Sequence, residues 1–158
     1  RAGISKGTIY SRFKSKEDLY LGLILQFGVQ LREEIQAKTA HSPSPHQCLL
    51  DLIQEVFRFH DRYPYFLEII QRAEVICRGK EQLIVNRLAF IAVIVDKLRA
   101  LESSVQPAQL EMSAVALMGM TRAMLQIAPA PRGDELPKWV VDHFLFGFCD
   151  RTRPTYAT

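Results

Sequence analysis

The sequence predicts an all-α protein, and three observations carry that reading. From Glu17 onward, apolar residues recur at spacings of three and four along six successive segments, the period of a helix with one buried face. The breaks between segments hold helix start and stop chemistry, with Ser15, Ser44 and Pro107 where helices begin and Gly79 where one ends. No stretch alternates apolar and polar residues as a half-buried strand would, and no repeat or low-complexity tract occurs.

The 158 residues, 48% hydrophobic and 23% charged, suit one all-helical unit with a sizeable core, or such a core plus a small N-terminal module. The charge distribution favours the second arrangement. Residues 1–20 hold five basic side chains (Arg1, Lys6, Arg12, Lys14, Lys16) and two acidic ones (Glu17, Asp18), a local balance of +3 that equals the balance of the whole chain. A net charge confined to one small polar segment is the footprint of a phosphate-binding module.

Within that segment, Ala2-Gly3-Ile4 reads as a tight corner and Ser5 as the N-cap of a short helix, Lys6 to Phe13. Ile9 and Phe13, four apart, share a face that can bury, while Lys6, Thr8, Tyr10, Ser11 and Arg12 point elsewhere and can all donate hydrogen bonds. Gly7 costs such a helix about 1 kcal/mol relative to Ala and suits a backbone that must approach another surface closely. Ser15 to Asp18 then reads as a capping box opening the next helix. Corner, short polar helix and second cap together make the second half of a helix-turn-helix, with its recognition helix at Lys6 to Phe13.

The next helix spans about Glu17 to Thr39, on the order of 34 Å at 1.5 Å per residue. Its apolar stripe is Tyr20, Leu23, Ile24, Phe27, Leu31 and Ile35, and Leu19, Leu21, Leu25 and Val29 widen it enough to predict cover on more than one side. His41-Ser42-Pro43 breaks it. Ser44 to Gln47, with Pro45 in the first turn, opens a helix to about Arg62 whose stripe is Leu49, Leu52, Ile53, Val56, Phe57 and His60. Tyr63-Pro64 restarts the chain, and Phe66, Ile69, Ile70, Ala73 and Cys77 mark a short helix that Gly79 ends. Lys80 to Glu102 is so apolar in its middle, Leu88 to Val95, that it is expected to be the central helix. Pro107 starts a helix to about Ala128, with Ala114, Ala116, Gly119 and Ala123 set between Met112, Met118, Met120 and Met124. After a loop at Pro129 to Gly133, Asp134 caps a last helix to about Cys149 that carries Trp139, Val140, Phe144, Leu145, Phe146 and Phe148.

The run AGISKGTIYSRFKSKEDL resembles the recognition-helix signature of the tetracycline-repressor (TetR) family of bacterial transcription regulators, with Gly3, Ser5, Gly7, Thr8, Tyr10, Phe13, Ser15, Lys16 and Glu17 in register. Members of that family have a first helix and most of a second before this point, so the resemblance implies an N-terminally incomplete DNA-binding domain. It also implies a division of the chain. Residues 1–20 form the end of the helix-turn-helix, and residues 21–158 form a helical effector-binding and dimerisation domain entered through the helix 17–39.

Double-stranded, palindromic operator DNA is the implied partner. The residues expected at it are Ser5, Lys6, Gly7, Thr8, Tyr10, Ser11, Arg12, Lys14 and Lys16. Lys14 and Lys16 could form an ordinary solvated pair, but beside a capped helix start phosphate contact is favoured. The resemblance implies a homodimer through the last two helices, drawing on Val115, Met118, Gly119, Arg122, Trp139, Val140, His143, Phe144 and Phe148. The final helix is aromatic on more sides than one buried face requires, which supports that expectation independently. A small effector is implied among the middle helices, lined by Phe57, His60, Phe66, Ile70, Phe90, Ile94, Met120, Thr121 and Met124; that lining suits an apolar or aromatic molecule.

Other classes fare less well. No catalytic constellation emerges, so the chain reads as no enzyme, and no cofactor is indicated. The histidines at 41, 46, 60 and 143 lack metal spacing, so no metal site is expected. His60 on an apolar stripe reads first as a satisfied core histidine, His143 as surface or interface, and Arg122 as either snorkelling or paired with an acid across an interface. Cys48, Cys77 and Cys149, odd in number and without CxxC spacing, read as reduced, buried small hydrophobes of a cytoplasmic protein. No apolar run reaches the roughly 18 residues of a membrane span, and no signal peptide is legible at Arg1. The function expected is therefore a DNA-binding repressor released by an effector. The alternatives are an effector-independent DNA-binding dimer and a helical-bundle interaction protein or enzyme.

Overall fold

A computed structural model of the protein describes residues 13–149. Those residues form six helices: α1 (Lys16–Thr39), α2 (Pro45–Arg62), α3 (Phe66–Ile76), α4 (Glu81–Leu101), α5 (Pro107–Ile127) and α6 (Glu135–Cys149). The local chemistry that marked the boundaries is what holds them. The Ser15 hydroxyl accepts the Asp18 amide at 3.1 Å, and the Ser44 hydroxyl accepts the Gln47 amide at 3.1 Å. Each satisfies one of the amides that a helix N-terminus leaves without a partner. Gly79 turns the chain between α3 and α4 at φ +79°, a conformation that L side chains rarely adopt.

The core is centred on α2. Leu49, Leu52, Ile53, Val56, Phe57, Phe59 and His60 are all buried, and α2 packs against α1, α4, α5 and α6. Polar groups drawn into it are satisfied. Asp51 accepts from the Ser42 hydroxyl at 2.6 Å and from the Gln47 amide at 2.9 Å. An aromatic cluster joins α1, α2 and α3: the Phe27 ring lies 4.9 Å from Phe66 and 5.0 Å from Tyr63, and Phe59 lies 4.8 Å from Tyr63.

Two expectations from the sequence are corrected here. The helix α4 is not central. Only Ile94 and Leu98 are buried on it, while Ile84, Val85 and Leu88 are about half exposed. Apolar residues all round a helix raise its mean hydropathy but leave the pattern no preferred face, so centrality was read from content that carries no direction. On α1 the fully buried stripe is narrow, namely Ile24, Gly28, Leu31, Ile35 and Thr39, and Val29 is 47% exposed. But α2, α3 and α4 all pack against the helix and Leu19, Leu21 and Leu25 are half-buried, so it is covered on more than one side as expected. Among the cysteines, Cys77 is buried but Cys48 only half so.

The α5–α6 loop is anchored by one side chain. The Arg132 guanidinium pairs with Asp61 at the end of α2 and donates to the carbonyls of Leu125 at 2.6 Å and Ala128 at 3.0 Å, while its own amide donates to Asp61 at 2.7 Å. It serves as a C-cap for α5 and as a tie from that helix end to α2.

A second polar cluster joins α1 to α2. Glu34 accepts from Arg62 at 2.9 Å and from Gln30 at 2.9 Å, and Arg62 lies 3.6 Å from Glu55. Burial pushes the Glu55 carboxyl above the usual range, and neighbouring Glu34 adds to that. Burial would do the same to Glu34, but the hydrogen bonds from Gln30 and Arg62 outweigh it and hold Glu34 below the usual range. The two carboxylates therefore act in opposite senses on stability. Glu34 adds stability that is lost as pH falls through its depressed pKa. Folded Glu55 binds its proton more tightly than unfolded Glu55, so its contribution is lost as pH rises through the elevated pKa. Glu55→Gln should therefore gain on the wild type as pH rises from about 4 to 8, with the difference in Tm moving in the variant's favour across that range. Thermal melts across that range check it, and a difference independent of pH would count against the assignment.

Candidate functional site

Of the residues expected at DNA, Ser5, Lys6, Gly7, Thr8, Tyr10, Ser11 and Arg12 lie outside the described residues. Lys14 and Lys16 are exposed beside the start of α1, with the Lys16 ammonium 5.9 Å above the Tyr20 ring. The junction into α1 is packed. A Cβ at Gly22 would stand 3.0 Å from the Phe13 ring, so the absence of a side chain there lets Phe13 settle against α1. The first turn of α1 is tied to the α3–α4 corner as well: the Cys77 thiol donates to the Glu17 carbonyl at 3.6 Å, and the Lys80 ammonium lies 3.6 Å from the Glu17 carboxylate.

Between α1 and α2–α5 lies a cavity of about 310 Å³. α1 contributes Ile24, Gly28, Leu31 and Arg32; α2 contributes Leu52, Ile53, Val56 and His60; α3 contributes Phe66, Leu67, Ile70 and Glu74. α4 adds Leu83, Asn86, Arg87, Phe90 and Ile94, and α5 adds Val115, Met118, Gly119, Thr121, Arg122 and Leu125. Of the nine residues expected to line it, His60, Phe66, Ile70, Phe90, Ile94 and Thr121 are brought together here. Phe57, Met120 and Met124 are not. The wall uses the faces Leu52-Ile53-Val56-His60 of α2 and Val115-Met118-Gly119-Arg122 of α5, and those three side chains point off these stripes.

The wall is largely apolar, with polar groups at fixed places. His60 is buried, and its Nδ1 lies 2.8 Å from the Val56 carbonyl. A carbonyl can only accept, so Nδ1 carries the proton and Nε2 is the acceptor of a neutral ring. Burial drives the pKa of His60 down, nearby Arg132 adds to that, and the Val56 hydrogen bond only partly opposes it. Thr121 donates its hydroxyl to the Leu117 carbonyl at 2.8 Å. His60, Leu67 and Leu125 also line a second, more polar cavity under the α5–α6 loop, so they stand between the two.

Glu74 on α3 accepts twice from Arg122 of α5, at 2.9 Å and 2.9 Å, and once from Arg87 of α4 at 3.4 Å. The Arg122 hydrogen bonds hold its carboxyl below the usual range despite opposing burial. Arg122 thus has an acid partner, but within its own chain and not across an interface. On α1, Arg32 donates to the Asn86 side-chain oxygen at 2.8 Å. Gly28 makes room for that Asn86, since a Cβ at Gly28 would fall 2.7 Å from the Asn86 side-chain nitrogen and closer still to the oxygen. Glu74, Arg87, Gly28, Arg32 and Asn86 were missed by sequence reasoning. The available signal was a glycine and an arginine set into the apolar stripe Ile24-Leu31-Ile35.

The residues expected at a dimer surface divide. Val115 (49%), Trp139 (42%), His143 and Gly119 are open, and the Trp139 and His143 rings stack at 3.9 Å. Val140 and Phe144 are instead buried in the chain's own core, and Met118 and Arg122, like Val115 and Gly119, line the cavity. The Phe148 side chain lies outside what is described. Phe146, 77% exposed, also faces outward from α6. Among the described residues, no group of three or more His, Cys, Asp or Glu could hold a metal ion, and no helix is long and apolar enough to cross a membrane.

Residues 1–23 match the family model described as bacterial regulatory proteins, tetR family. No curated protein matches the chain. The match covers the basic segment and the first turns of α1, which gives the exposed lysines a specific expectation. Lys16→Ala should weaken binding to all DNA sequences alike and reduce the slope of log K against log salt by about one unit. Salt titrations of DNA binding check this, and an unchanged slope would remove Lys16 from the phosphate contacts.

Proposed function

We propose that this chain, a tetR-family bacterial regulatory protein by its first 23 residues and so a DNA-binding transcription regulator, acts as a repressor released from its operator by a small apolar or aromatic effector. The observation that supports the reading is the cavity of about 310 Å³, within the size range of small-molecule sites and walled in part by the helix that continues from the DNA-binding segment.

The same geometry suggests how the two sites communicate. α1 is a stiff rod with its N-terminus beside the DNA module and its middle in the cavity wall. α3 touches both ends of the problem: Phe66, Leu67, Ile70 and Glu74 line the cavity, and Cys77 just past its C-terminus holds Glu17 in the first turn of α1. A ligand that separates α3 from α5 displaces the α3–α4 corner, and packed interiors transmit such displacement instead of absorbing it. The recognition segment then moves with the first turn of α1. In a dimer the two segments would no longer match successive major grooves of a palindromic operator. The protein would work in the cytoplasm, where Cys48 and Cys77, both free thiols, stay reduced.

Two measurements test this. A 100- to 1000-fold loss of operator affinity needs about 3–4 kcal/mol of coupling, and effector affinity must then fall by the same factor on DNA. Calorimetry with and without operator reads it directly, and equal affinities would make the protein a constitutive binder. For the dimer, the outward position of Phe146 selects the variant. Phe146→Glu should shift the wild-type dimer to monomer in sedimentation while leaving the melting temperature of the protomer nearly unchanged, whereas Phe144→Glu should unfold it.

A further inference from the structure

Among the described residues three arginines line the cavity, and two of them are ion-paired in place, because Arg122 and Arg87 share the single charge of Glu74. Arg32 is different. Among the described residues it forms no ion pair, and its hydrogen-bond partner is the neutral Asn86 oxygen at 2.8 Å. Glu74 is the sole carboxylate in the wall and His60 is held neutral, so the cavity carries surplus positive charge. Most of the rest of the wall, including Ile53, Ile70 and Phe90, is hydrocarbon.

The placement of Arg32 is built into the fold. A glycine in the middle of a helix is destabilising relative to Ala. At Gly28 that cost has a visible return, since any side chain there would overlap the Asn86 amide, whose nitrogen and carbon lie 2.7 and 2.9 Å from the Cβ position. Gly28 admits Asn86, Asn86 orients the guanidinium, and all three border the cavity. With Nη1 engaged, Nη2 and Nε remain to donate, and that edge of a guanidinium matches the two oxygens of a carboxylate.

We propose that the cavity takes an amphipathic monoanion, a carboxylate carried on an apolar or aromatic body, with the carboxylate on Arg32 and the body among Ile53, Ile70 and Phe90. The assignment rests on the effector reading above. A cation would be repelled by the surplus charge, and a neutral oil would leave Arg32 desolvated without a counter-ion.

The test compares acids with their alcohols: octanoate against 1-octanol and 4-phenylbutyrate against 4-phenylbutanol, titrated calorimetrically into wild type, Arg32→Gln and Arg32→Lys. Each acid should bind the wild type about tenfold more tightly than its alcohol. Arg32→Gln should remove that preference by weakening the acids about tenfold while the alcohols change by less than about twofold, and Arg32→Lys, which keeps the charge but not the two-point edge, should keep only part of it. Alcohols that equal the acids in the wild type, or an Arg32→Gln variant that weakens both alike, would overturn the anion assignment and leave the cavity reading standing. Failure of both classes to bind wild type would overturn the cavity reading and the assignment with it. If Arg32→Gln does not fold, the wild-type ratio alone decides.

Discussion

The close approach of α4 to α1 at Gly28 is the constraint on which much else depends. Asn86 sits where a side chain of α1 would otherwise be, and through it the two helices share a hydrogen bond to Arg32. Ile94 and Leu98 bury the C-terminal half of α4, and its N-terminal half, with Ile84, Val85 and Leu88 turned outward, rests on the partly buried Leu83 and Phe90 and on this polar contact. The cavity wall runs between this point and the Arg87–Glu74 pair, both of which tie α4 to its neighbours.

How much of this was legible follows from the range of each interaction. Helix ends were readable because caps are local: Ser15 with Asp18 and Ser44 with Gln47 are each three residues apart. The buried face of α2 was readable because its apolar period is clean, and all six residues of its expected stripe are buried. The face of α4 was not, because its hydrocarbon encircles it. Polar partners were beyond reach for a different reason. Arg122 finds Glu74 at 48 residues' separation and Arg32 finds Asn86 at 54, and nothing local to either arginine names its partner. Six of nine expected cavity residues were placed by helix face alone. The three that missed, Phe57, Met120 and Met124, each sit one step round the helix from the lining stripe, the resolution limit of a periodic pattern.

The same reasoning separates the two uses of α6. Aromatic residues on several sides of a helix suggest two partners but not which side meets which. Val140, Val141 and Phe144 belong to the chain's own core, and Trp139 and Phe146 face out. A sequence-level choice of interface residues mixes the two because both faces are equally apolar.

Arg132 has a consequence for assembly. By capping α5 and gripping Asp61, it fixes how the end of α5 and the loop into α6 sit on α2 from inside one chain. Arg58 reinforces it through Asp134 at the threshold of α6. The outward faces of these two helices are thus shaped before anything docks on them. In the proposed dimer, association at this surface would be a meeting of finished bodies. Its heat capacity should therefore fall only in proportion to the area covered, without the steeper fall that accompanies a segment folding as it binds.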